Sequence, residues 1–158
     1  MNPPARAALP GAAKRKRYIL YGVGGLVALF LLLSPSIFYS PPKAELRVDN
    51  HKISLEIVRT TAAQAQGLGG RSSMPADEGM LFVQDTPAVA CFWMKGMRFP
   101  LDIIWLDGAK KVVGIRPNVL PSTYPKSFCP DQPAKYVVEL NAGQARKLGI
   151  GETQTLNF

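Results

Sequence analysis

The chain has little of what catalysis most often draws on: its 158 residues hold one histidine and two cysteines. Any Ser-His-Asp or Cys-His set would have to be built around His51, which falls in an expected hairpin turn where a catalytic base has no shielding. Cys91 and Cys129 are 38 residues apart, neither the close ligand pair of a zinc site nor the C-x-x-C of a redox catalyst. No cofactor and no metal are expected. Charge is missing as well, in one place. Tyr18 to Tyr39 is a run of 22 residues without a charged side chain, and no acid precedes it.

That run reads as a membrane span. At about 1.5 Å of rise per residue it covers roughly 33 Å, enough for a hydrocarbon core of about 30 Å. Pro35 is expected to end the regular helix near Ser34, leaving Tyr39 at headgroup level. Arg6 and the collar Lys14-Arg15-Lys16-Arg17 lie before it, so residues 1–17 are expected inside and the remainder outside the cytoplasmic membrane. A cleaved signal peptide is the competing reading. Against it, the apolar run exceeds a usual signal core, an A-x-A cleavage pattern is missing, and Ser40 is followed by Pro41-Pro42. The expected organisation is a basic tail (1–17), an uncleaved anchor (18–39) whose partner is the lipid bilayer, a Pro-rich spacer (40–43) and one extracytoplasmic domain (44–158).

The formal net charge of +8 belongs mostly to the tail. From Ala44 onward there are 13 Lys and Arg against all 11 Asp and Glu, a net of +2. A basic nucleic-acid footprint spread over a folded face is therefore not expected.

Within the domain, strand signals dominate. Glu45–Asp49 and Ile53–Val58 alternate apolar with polar residues around Asn50-His51-Lys52, a hairpin pattern. Thr60 caps an expected short helix that Gly67–Gly70 stops. Gly79–Val83, Val89–Met94, Leu101–Leu106, Val112–Ile115, Tyr136–Leu140 and Thr153–Leu156 read as further strands, with Asp107-Gly108 as a turn. Asn141 is a candidate N-cap for a second short helix ending at Gly149. These elements describe a β-rich α+β domain, a curled antiparallel sheet or partial barrel with two short helices. Residues 117–133 carry five prolines and Cys129, which reads as a stiffened loop and not a central strand. A Cys91–Cys129 bond would tie that loop to the strand at Val89–Met94, and the exported side is where such bonds persist. The spacing alone leaves both the bonded and the free state open.

Five motifs carry a resemblance. Gly67-Leu68-Gly69-Gly70-Arg71, Glu78-Gly79-Met80-Leu81-Phe82, Phe92-Trp93-Met94-Lys95, Pro100-Leu101-Asp102-Ile103-Ile104 and Tyr136 through Gly143 together resemble the family called domain of unknown function 192. Its pattern runs G-L-M-x-R, E-G-M-L-F, F-W-M-K-N-T, P-L-D-I-I-F-L-D and R-Y-V-L-E-V-N-A-G in that order. The resemblance spans about Leu46 to Phe158 and implies a compact β-rich domain, often carried on secreted or membrane-anchored proteins. It implies no activity. This chain departs at Gly69 in place of Met, at Gly96-Met97 in place of Asn-Thr, and at Lys135 in place of Arg.

Arg71, Glu78, Lys95, Asp102 and Glu139 stand beside apolar strand cores, where a charge is costly to bury unless paired. If they converge, Glu78, Asp102 and Glu139 would hold Arg71 and Lys95 as the floor of a site for an anionic group. The plainer alternative is a set of structural ion pairs or solvated charges. Trp93 is a candidate stacking platform, although strand aromatics are more often core. Met74, Met80, Met94 and Met97 follow core positions. The leading function is a membrane-anchored module that binds a small-molecule or envelope ligand. The alternatives are a hydrolase-type enzyme using paired carboxylates such as Glu78 and Asp102, and a partner-docking subunit.

Overall fold

The computed structural model describes residues 40–158. The expected tail (1–17) and membrane span (18–39) lie outside the described residues. Among the described residues no helix is long and apolar enough to cross a membrane.

Alternation and turn chemistry set the first elements. β1 (Lys43–Val48) and β2 (His51–Val58) pair antiparallel, with Leu46 opposite Ile53 and Ala44 opposite Leu55. Their turn is tighter than expected, because His51 already pairs with Val48 and Asp49 takes a positive φ of 49°. The domain also begins inside the expected spacer: Lys43 opens β1, and the Pro42 carbonyl accepts from the Ile57 N–H at 2.8 Å. α1 (Thr61–Gln66) starts where Thr60 Oγ1 accepts from the Ala63 N–H, and Gly67 ends it at φ +48°.

Residues 59–77 then carry the chain back across the sheet face. β3 (Glu78–Ala88) consequently lies parallel to β2, with Glu56 opposite Met80 and Val58 opposite Phe82. The remaining strands are β4 (Phe92–Trp93), β5 (Leu101–Leu106), β6 (Val112–Val119), β7 (Ser127–Phe128) and β8 (Ala134–Asn141), followed by α2 (Gln144–Lys147). A short 3₁₀ turn, Pro121–Thr123, separates β6 from β7. The main sheet runs β1-β2-β3-β8-β5-β6, and β4 and β7 form a separate two-stranded ribbon.

The expectation of an antiparallel sheet is corrected here: the six-stranded sheet is open and mixed, with β2 and β3 parallel. A parallel pair needs a crossover of a dozen or more residues, which the helix-bearing stretch between β2 and β3 supplies. Two expected strands also shrink. Val89–Met94 contributes only Phe92–Trp93, and Thr153–Leu156 makes isolated bridges instead of a strand. Those bridges touch both rims of the sheet: Thr155 pairs with Lys111 beside β6, and Asn157 pairs with Arg47 in β1.

Apolar residues cover both faces of the central strands. One face holds Leu55, Leu81, Ile104 and Val138 under Ala145, Leu148, Ile150 and Leu156. The other holds Met80, Phe82, Ile103, Trp105 and Val137 under Leu68, Met74 and Met94. Every residue of β5 is buried, the pattern of a strand covered on both sides. The ribbon is fixed from below as well. Trp105 donates its indole N–H to the Ala90 carbonyl at 2.9 Å, and Phe92 meets Phe82 edge-on at 4.8 Å between ring centres.

Cys91 and Cys129 are joined in a disulfide, with Cα atoms 4.2 Å apart. The bond ties the proline-rich segment to the start of β4. Closing a loop of this length contributes roughly 3–4 kcal/mol in the chain-entropy model. Pro117 sits in β6, an edge strand, where the missing N–H is tolerated.

Candidate functional site

Two acids are buried, Asp102 at 0% and Glu139 at 5% exposure, and they face opposite sides of the sheet. Their surroundings differ. Asp102 Oδ1 accepts from the Asn118 N–H at 2.8 Å, and Oδ2 accepts from the Ala145 N–H at 2.9 Å. The second bond explains how α2 begins. Gly143 precedes it at φ +83° and has no side chain to offer its first-turn amides, so Asp102 reaches in from β5 to do so. The expected cap, Asn141, is engaged elsewhere: its amide nitrogen donates to the Met74 and Pro75 carbonyls. Asp102 is thus a fastener between three elements. Asp102→Ala strands one buried and one partly buried amide, and a loss of about 3 kcal/mol is expected in urea unfolding. A loss below about 1 kcal/mol would refute that role.

Glu139 has no such partners. It lies mid-strand in β8, between Met80 of β3 and Ile103 of β5. None of the hydrogen bonds among the described residues uses its carboxyl. Burial without compensation pushes its pKa up to about 8, so the group is protonated at neutral pH. Glu139 is among the residues that line a cleft of about 310 Å³.

The cleft walls come from three segments. α1 supplies Thr61, Gln64 and Ala65, and is held to β3 by Gln64 Nε2 donating to the Val83 carbonyl at 2.9 Å. The glycine loop supplies Leu68 and Gly69; Gln66 Nε2 donates to the Gly69 carbonyl at 2.7 Å. The ribbon and the turn after it supply Phe92, Trp93, Lys95 and Met97. That turn is closed by the Met97 N–H to the Met94 carbonyl, with Gly96 at φ +70°. The Gly70 N–H donates to the Gly96 carbonyl and stitches loop to turn. A positive φ suits Gly and, next best, Asn, so Gly96 keeps the backbone that the family's Asn would adopt. Two departures noted in the sequence, Gly69 and Met97, both line the cleft.

The five charges read from the sequence do not form one cluster. Lys95 and Glu139 share the cleft, with Trp93 at 52% exposure on its wall. Arg71 instead pairs with Glu56, Nη2 lying 3.0 and 2.8 Å from the two carboxyl oxygens, and ties the glycine loop to β2. Glu78 makes an exposed pair with Lys43 at 3.3 Å, worth about 0–1 kcal/mol. Asp102 belongs to the other face. Glu56 was missed, although its place on the polar side of the β2 alternation marks it. Gln64 and Gln66 carry no signal in a single sequence. Met74, Met80 and Met94 are core. Among the described residues no group of three His, Cys, Asp or Glu side chains is placed to hold a metal.

A model of one uncharacterised family, described as Uncharacterized ACR, matches residues 44–158. The chain belongs to the domain of unknown function 192 family. Two solved members of this fold support the architecture. A protein of unknown function from Novosphingobium aromaticivorans is similar at 30% identity and a TM-score of 0.71, covering 77% of this chain and 89% of its own. A candidate transcription regulator from Sinorhizobium meliloti is similar at 28% identity and a TM-score of 0.69, covering 75% and 95% respectively. No curated protein matches the chain.

Proposed function

We propose that residues 44–158 are a ligand-binding module, held on the extracytoplasmic side of a membrane by residues 18–39. One observation carries the binding half of this reading: Glu139 is buried, has no hydrogen-bond partner among the described residues, and lines a cleft together with Trp93 and Lys95. A buried carboxyl without hydrogen bonds costs stability, and such groups gather where a ligand will complete them. Concave, largely apolar clefts with a few polar groups are the usual form of small-molecule sites. The membrane half rests on the uncharged run and its basic collar.

Hydrolysis by paired carboxylates is less well supported, because Glu139 is the single acid among the cleft-lining residues. The regulatory role suggested for the Sinorhizobium relative has no counterpart in a domain whose net charge is +2 from Ala44 onward.

A thermal-shift screen of small molecules tests the binding reading, since a ligand for the native state raises the melting temperature by mass action. A stabilising compound whose effect is lost in Trp93→Ala is the expected result. Stabilisation that Trp93→Ala leaves intact would move the site elsewhere. Protease added to intact spheroplasts is expected to digest the domain; a protected domain would end the topological half.

A further inference from the structure

We infer that the cleft takes a small organic anion with a flat apolar body, its carboxylate met by Lys95 and the Glu139 carboxyl and its body against Phe92. This rests on the binding reading above and names the class of ligand. The charge balance of the walls decides the class. Lys95 and Glu139 are the only ionisable side chains among the cleft-lining residues, and Gln64, Gln66, Gln84 and Thr61 are neutral. Glu139 has an O–H to donate at neutral pH, because burial holds it protonated. The cleft therefore offers one positive charge and one acidic donor, and no fixed negative charge.

Nearby charge does not reverse that balance. In the row of side chains crossing the sheet, Glu139 is flanked by Met80 and Ile103. The next acid, Glu56, lies beyond Met80 and is taken up by Arg71. On the other side, beyond Ile103, comes Arg116 on the edge strand. An ammonium ligand would face Lys95 and would have to ionise Glu139 first. A neutral hydroxylic ligand would leave Lys95 unused. A carboxylate uses both, as charge-assisted hydrogen bonds from an ammonium and an acid. The volume of about 310 Å³ is at the small end for ligand sites and suits a single ring. Phe92 is held rigidly for that ring, edge-on to both Phe82 and Trp105.

Three probes of nearly one shape separate the classes: benzoate, benzyl alcohol and benzylammonium. Each is titrated into the full-length protein in detergent while the Trp93 indole N–H is followed by NMR. Benzoate is expected to bind best, with affinity falling about tenfold between about pH 6 and pH 9 as Glu139 loses its proton. Glu139→Gln keeps a donor and is expected to bind benzoate with that pH dependence abolished. Lys95→Gln is expected to weaken benzoate several-fold at both pH values. A preference for benzylammonium or benzyl alcohol, or a benzoate affinity indifferent to pH in the native protein, overturns the ligand class and leaves the cleft a binding site. If no probe moves the Trp93 resonance, both the class and the binding cleft are refuted.

Discussion

Glu139→Gln is expected to stabilise the protein, with a gain that grows as pH rises. The native carboxyl titrates near 8, whereas in the unfolded chain it returns to about 4.5. Between those values the folded state holds a proton that the unfolded state has released. Stability of the native protein therefore falls as pH rises through this window and levels off above it. Gln is neutral throughout and escapes the penalty. With each pH unit worth about 1.4 kcal/mol, the variant gains roughly 3 kcal/mol at neutral pH and roughly 5 above pH 8, and little near pH 4.5. Local relaxation and water entry reduce these figures, so they stand as upper values. Urea unfolding of both proteins across pH measures the gain directly. A Gln variant no more stable than the native protein at about pH 9 would show that Glu139 meets a compensating partner.

Gly79→Ala is expected to do the opposite. A Cβ at position 79 would stand 2.8 Å from the Glu139 carbonyl oxygen and 2.8 Å from methyl groups of both Leu140 and Leu55. Two of these neighbours belong to β8, the strand hydrogen-bonded to β3 at this point. The flexible leucine tips can turn aside, but the carbonyl cannot move without opening the ladder. A loss of roughly 3–4 kcal/mol in unfolding free energy is expected, at the upper end for overpacking by one methyl. A loss under about 1 kcal/mol would mean that the strands separate here without cost. The position explains the glycine of Glu78-Gly79-Met80 in terms of contact alone, since its φ carries no left-handed requirement. The same displacement would move Glu139, so cleft binding should weaken along with stability.

Much of the sheet could be read from the chain because alternation reports burial. β1 and β2 show it plainly, and the apolar run Leu101–Leu106 reads as a strand. What the chain conceals is direction. A hairpin and a crossover look alike until the space spanned by residues 59–77 is known, and that stretch makes β3 parallel to β2. The candidate site was legible in part for a similar reason. Asp102 and Glu139 are each one acid in an apolar strand, and sequence treats them as equivalent. They part company through strand parity: Asp102 meets two backbone amides on one face, and Glu139 meets open space on the other. Arg71 found Glu56 because the glycine loop doubles back over β2, a long-range event without a local signal. Lys95, Trp93 and Glu139 line one cleft because the ribbon folds over the same face and the Cys91–Cys129 bond ties it to the proline-rich segment.

The last residues, which bridge to Lys111 on one rim of the sheet and to Arg47 on the other, have a further consequence. An open sheet offers two lines of unused amides and carbonyls to any passing strand, the usual start of intermolecular pairing. Here one short segment occupies part of each line at once. Loss of that segment would turn a self-contained particle into one able to recruit copies of itself from both sides.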